Sequence, residues 1–201
     1  MISDLHRVMH GIAIKKHAAP AAIAALAGVS VETAGATLAA AEAGGRVVAA
    51  DGKYLLSPAG QMILLGEYSR FYDELRQDQD FVAAYERFEI INNDLKSLIT
   101  DWQTMDIGGQ KVPNDHSNAD YDDRIIGRLG DLHERFEPVL GVMVAREPRL
   151  QWYAERLTEA LEKAEDGDVA WVSDATIESY HTVWFEMHED LLRLLGRERT
   201  E

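Results

Sequence analysis

Cysteine is missing from all 201 residues. That excludes a disulfide framework, a thiolate zinc site and a cysteine nucleophile, and it fits a reducing compartment. Long apolar runs are missing as well. The opening stretch M-I-S-D-L-H-R-V-M-H-G-I-A-I-K-K-H carries charges and histidines throughout, so it reads as neither a secretory signal nor a membrane span. The expected location is the cytoplasm, with no membrane partner. No glycine-rich phosphate loop, nucleophile elbow or kinase signature occurs, and Gly44-Gly45 and Gly108-Gly109 are too isolated to cradle phosphate. Internal repeats, low-complexity tracts and flexible linkers are likewise lacking.

Positive charge is scarce. Lys and Arg number 20 against 35 Asp and Glu, for a net charge of −15. The imbalance is uneven along the chain. Residues 1–66 hold five bases and four acids, whereas residues 67–201 hold 15 bases and 31 acids. This shift suggests two modules, the second of which should repel nucleic acid and anionic membranes. Hydrophobic residues make up 46% of the chain, enough for packed cores.

The order of signals in the first 66 residues is helix, helix, helix, hairpin, helix. Ile2 to His17 reads as a helix ended by Ala18-Ala19-Pro20. Pro20 opens a short helix broken at Gly28, and Ser30 caps a third that stops at Gly44-Gly45. Two apolar strands then flank Asp51-Gly52, a dipeptide suited to a tight hairpin. Ser57-Pro58 supplies a cap followed by a first-turn proline. This is the order of a winged helix-turn-helix over residues 1–66.

From residue 67 to 201 the pattern is an acidic antiparallel helical bundle, making the expected fold class mainly α. Helices are expected from Phe81 to Thr104, from Ser117 to Ala145 with a bend at Pro138, from Pro148 to Asp166, and from a Ser173 cap to Gly196. Residues Asp106 to Asn118 read as the longest loop.

The last helix concentrates the side chains of interest. Tyr180, Trp184, Met187, Leu191 and Leu194 form one apolar face, and His181 and His188 fall inside it. Together with Trp102 and the loop residues Asn114, Asp115 and His116, these make a candidate pocket: Trp102, Asn114, Asp115, His116, Tyr180, His181, Trp184 and His188. The bland alternative is a core whose histidines are satisfied by carbonyls or carboxylates. Glu178 and His181 have the spacing of dimetal bundle ligands, but no second such motif accompanies them. His6, His10 and His17 lie on one side of the first helix and read as an exposed, titrating face rather than a metal site. No catalytic residue, cofactor or metal is assigned.

The third helix, V-E-T-A-G-A-T-L-A-A-A-E-A, contains no Lys, Arg, Asn or Gln. Base readout and phosphate neutralisation lean on those residues, so DNA binding is disfavoured. The small, neutral surface suits protein docking or dimerisation.

Three patches, T-D-W-Q at Thr100–Gln103, P-N-D-H at Pro113–His116 and S-Y-H-T-V-W-F-E-M-H-E-D-L at Ser179–Leu191, resemble an accessory region of bacterial pyruvate, phosphate dikinase-like (PEP-utilising) proteins. The resemblance covers most of the chain from the hairpin onward. It implies a winged-helix and helical region either fused to phosphotransfer domains or encoded apart from them. It brings no catalysis with it, because Asp106-Ile107-Gly108-Gly109 followed by His116 does not reproduce the family's phosphorylated histidine motif. The chain is also too short for the family's nucleotide-grasp and PEP-binding domains. The expectation is therefore a non-catalytic accessory or regulatory protein that docks onto a PEP-utilising partner or pairs with its own copy. The competing expectation is a ligand-responsive, dimeric winged-helix transcription regulator. An enzyme using His116, His181 or His188 as acid or base ranks third.

Overall fold

The computed structural model describes residues 2–198, and these are mainly helical. Helices α1 (Asp4–Lys15), α2 (Pro20–Ala27) and α3 (Val31–Ala43) precede strands β1 (Val47–Ala50) and β2 (Lys53–Leu56). Helices α4 (Pro58–Gln77) and α5 (Gln79–Gln103) follow, then strands β3 (Thr104–Ile107) and β4 (Gln110–Pro113). The remainder is α6 (Ala119–Arg146), a 3₁₀ turn at Pro148–Leu150, α7 (Gln151–Glu165), α8 (Ala170–Ser173) and α9 (Tyr180–Leu195). Among the described residues no single helix is long and apolar enough to cross a membrane.

The chain divides into two compact units. The first takes residues 1–79 and 186–201, and the second takes residues 80–185. Helix α9 therefore gives its residues up to Phe185 to the second unit and those from Glu186 onward to the first.

In the first unit, local chemistry sets each boundary. Ser3, Ser30 and Ser57 accept the backbone N–H of His6, Thr33 and Gly60, satisfying donors that a helix start leaves open. Pro20 and Pro58 occupy first-turn positions, where a missing N–H costs nothing. β1 and β2 pair antiparallel, with Val47 opposite Leu56 and Ala50 opposite Lys53. Asp51 and Gly52, at φ of 51° and 74°, make the turn between them. Backbone bonds between Ala18 and Tyr54 in both directions add the α1–α2 connection to the edge of β2. Gly60 has a steric reason: a Cβ there would sit 1.9 Å from the Arg46 carbonyl oxygen, so the start of α4 can approach the hairpin only without a side chain. The core is built of Val8, Met9, Ile12, Ile23, Leu26, Leu38 and Leu64. Helix α1 lies at its centre, packed on α2, α3, α4 and β2.

That central position overturns the exposed reading of the first-helix histidines. His6 and His10 are both fully buried, and only His17 is exposed. A helix covered on one face would have left one stripe wet. Packing from four elements leaves no such stripe between His6 and Ile14, except at partly covered Arg7 and Ala13.

In the second unit, α5 and α6 carry the core through Phe81, Phe88, Leu95, Leu129, Phe136 and Met143, joined by Tyr153 and Leu157 of α7. Three expected boundaries are corrected. Residues 106–118 are not one long loop, because β3 and β4 pair antiparallel from Thr104–Pro113 to Ile107–Gln110. Gly108 and Gly109, both at positive φ, form the turn, and the Asp106 carboxylate accepts the Gly109 N–H at 2.8 Å. Ser173 does not cap the last helix; it ends α8. The cap is Ser179, whose Oγ accepts the Thr182 N–H at 3.3 Å. Asn118 rather than Ser117 caps α6, and Pro138 lies inside that single helix.

Candidate functional site

The eight side chains expected to share a pocket fall into separate groups. Trp102, Asn114 and His116 come together where α5, the exit of β4 and α6 meet. The organising group is the buried carboxylate of Asp122, in the first turn of α6. Asn114 donates one amide hydrogen to Asp122 Oδ1 at 2.9 Å and the other to the Trp102 carbonyl at 3.0 Å. Both hydrogens are then spent, so Nδ1 of His116 cannot accept from Asn114. It carries its own proton and donates to Asp122 Oδ2 at 3.0 Å. The imidazole lies 4.5 Å from the Trp102 ring, and its backbone holds φ of 57°. Asp115 points elsewhere: the hydroxyl and backbone N–H of Ser117 donate to it and hold it below the usual carboxylate range. The cluster fastens the end of the hairpin to the start of α6.

Tyr180 and Trp184 stand together in the core of the second unit, with ring centroids 6.0 Å apart. Trp184 also packs on Phe88 and Phe136, at 5.2 and 4.5 Å, and donates its indole N–H to Asn92 Oδ1 at 3.0 Å. Burial pushes the Tyr180 hydroxyl far up, so it stays protonated and donates to His133 Nδ1 at 3.1 Å. His181 is half-buried. His188 is buried and belongs to the first unit, with Met187 and the leucines of the C-terminal half of α9.

The most enclosed polar group has almost no signature in the sequence. In the first unit, His10 Nε2 lies 2.9 Å from Asp190 Oδ1, and His10 Nδ1 lies 2.7 Å from the Tyr68 hydroxyl. A carboxylate can only accept, so Nε2 carries a proton and donates it to Asp190, while Nδ1 faces the tyrosine hydroxyl. Burial raises the Tyr68 hydroxyl well above its ordinary value, with nearby Arg193 opposing the rise, so it remains a donor. Beside this chain His6 contacts Glu67 at 3.0 Å. The order tyrosine, histidine, aspartate is that of a proton relay, yet all three residues are buried. The relay pins α1, α4 and the C-terminal half of α9 into one unit. Its partners stand 58 and 180 residues apart in sequence, a separation no helical period detects. The one local signal is a histidine placed next to Met9 and Ile12 of the apolar face.

Two second-unit histidines carry a pH consequence. Burial lowers the pKa of both His133 and His181 from the ordinary 6.5. As pH falls below that value the unfolded chain takes up protons that these folded rings still refuse. Their contribution to stability is therefore complete above pH 6.5 and is lost as pH drops through the window beneath it. Urea unfolding should show a lower midpoint on the acid side of this window than at neutrality. A chain carrying both His133→Gln and His181→Gln should show a visibly smaller decline. Equal declines in the two proteins would mean that other groups set the acid sensitivity.

Among the described residues no three His, Asp or Glu side chains gather as a metal ion would require. On the exposed side of α3 stand Val31, Glu32, Ala36, Ala39, Ala40, Glu42 and Ala43. Comparison of the chain with protein-family models, curated proteins and solved structures finds no match.

Proposed function

We propose that this chain is a non-catalytic accessory or regulatory module: a winged helix followed by an acidic helical bundle, which docks onto a protein partner. The partner we infer is a PEP-utilising phosphotransfer enzyme. The observation that carries the docking reading is the exposed face of α3. It offers alanines, one valine and two glutamates where a DNA reader would present arginine, lysine or amides. Small side chains let another backbone approach closely and lose little conformational entropy on burial. Charge supports the same reading, since residues 80–185 hold 22 Asp and Glu against 10 Lys and Arg. The choice of partner rests on the patches at Thr100–Gln103, Pro113–His116 and Ser179–Leu191. The first two contribute to the Asp122 cluster, and the third runs along α9 from Trp184 in the core of the second unit to Asp190 in the buried relay of the first.

The second reading, a ligand-responsive dimeric regulator, is favoured by the order of elements in the first unit. Affinity capture from lysate of the native organism at low salt separates the two, provided bound protein and bound nucleic acid are both identified. The expected eluate contains a PEP-utilising or nucleotide-grasp protein and no enriched duplex DNA. A specific duplex without a protein partner would overturn the docking reading, and its binding should then weaken steeply with salt.

A further inference from the structure

Between the end of α1, strand β2 and the first turns of α4, the first unit carries a groove of about 400 Å³. Ile12, Leu56 and Leu64 line it from the core, and Leu65 stands beside them with 72% of its surface in water. Met62, one helical turn before Leu65, is 77% exposed. Scattered exposed leucines are ordinary. Here Leu65 adjoins a concave surface of mixed character, where Gln61, Lys16 and Arg193 stand beside Leu55 and the core leucines, and that form suits an amphipathic segment.

The charges around the groove identify its occupant. Among the described residues no acid lines it, although acids outnumber bases 35 to 20 in the chain. The two charged residues that do line it are Lys16 and Arg193. Arg193 gives its Nε to Glu189 at 2.8 Å, so part of its charge is already answered. Lys16 forms no ion pair among the described residues. It is held at the C-cap of α1 with φ of 64° and ψ of −52°, a positive-φ conformation that a lysine adopts at a cost.

We infer that this groove binds a short amphipathic segment of the partner protein, one presenting two apolar side chains at helical spacing and a carboxylate toward Lys16. The apolar pair packs on Leu55 and Leu65, and the acid meets the lysine charge that the groove leaves open. Two cations on apolar walls do not make a nucleic-acid track, which needs a run of phosphate contacts. The inference rests on the docking reading and names its surface and the chemistry it selects.

A random peptide library displayed on phage, panned against the full chain, tests it. Enriched peptides should share paired apolar residues and an Asp or Glu. Their affinity should fall by about tenfold or more with Leu65→Glu, the size expected of an interface anchor. It should fall several-fold with Lys16→Glu and weaken with salt. Ala39→Glu, on α3, should leave it unchanged. Leu55 lines the groove from β2 and is half-buried, so Leu55→Glu gives a second probe of the same groove, and circular dichroism reports whether each variant folds. Failure to enrich any peptide overturns the inference, as does binding that survives both Leu65→Glu and Leu55→Glu. Peptides lost only with Ala39→Glu would move the docking surface to α3 and leave the docking reading standing. A concentration-dependent dimer dissolved by Leu65→Glu would show that a second copy, not a partner segment, fills the groove.

Discussion

Replacing Asp190 with alanine should cost the first unit about 1–3 kcal/mol, because it leaves a buried donor with no acceptor. Nε2–H of His10 has Asp190 Oδ1 at 2.9 Å, and both residues are fully buried. Water cannot replace the carboxylate without opening the core. A typical domain is stable by about 5–15 kcal/mol, so a loss of this size removes a large share of it. The conservative change separates shape from charge. In an Asp190→Asn chain the new amide oxygen would still accept from Nε2–H, and that variant should lose clearly less than Asp190→Ala. Asp190 makes other interactions besides the one with His10. A double-mutant cycle with His10→Ala is therefore the proper measurement, read by urea unfolding at neutral pH. A strong coupling between the two sites is the expected result. Additive losses would mean that Asp190 is held by its other partners and that the relay through Tyr68 has no energetic weight.

This relay shows where sequence reading reaches its limit. The starts of α3 and α4 were legible because a cap is a local arrangement among neighbours. Ser30 with Thr33 and Ser57 with Gly60 lie three residues apart, and the sequence places them together whatever the fold. The Asp51-Gly52 turn was legible for the same reason. Gly108-Gly109 carries the same signal, and its flanks alternate, but Pro113 and Asn114 read as loop markers. A proline at the last position of an edge strand is tolerated, since no ladder bond is asked of its nitrogen. The burial of His6 and His10 was not legible. Periodicity says which side of a helix is apolar, not how many elements surround it, and α1 is covered by four.

The candidate pocket does not assemble, for a related reason. A helical wheel places His181 and His188 on one face, and that much follows from their spacing. It does not say which body each half of the helix joins, and α9 divides after Phe185. Asn114, His116 and Trp102 do converge, because the hairpin returns the chain to the end of the helix it left. The residue that gathers them, Asp122, reads in sequence as one more acid in an acidic first turn. Its signal is position: it falls on the side of α6 shared with Ile125, Ile126 and Leu129, where an ordinary surface acid does not belong.

Trp184→Ala should be the most damaging single change in the second unit, at about 3–5 kcal/mol for the lost packing alone. Trp184 is 2% exposed and contacts Phe88, Phe136 and Tyr180. Removing it also strips Asn92 Oδ1 of its donor in a buried place, which adds about 1–3 kcal/mol. Trp184→Phe keeps most of the aromatic contact but still orphans Asn92, so it should fall between alanine and the native residue. The difference between the two variants apportions packing against hydrogen bonding. Urea unfolding followed by circular dichroism is the suitable readout, since the substitution removes one of the four tryptophans. The same experiment decides what the seam of α9 is for. A residue that fills a core leaves a cavity when it is truncated, and stability falls with the volume lost. A residue that lines a ligand pocket already faces space, so its truncation costs little and instead alters what binds. A loss near the upper end of the range would establish Trp184 as core. A loss below about 1 kcal/mol would restore the pocket and make the aromatic ring at position 184 its wall.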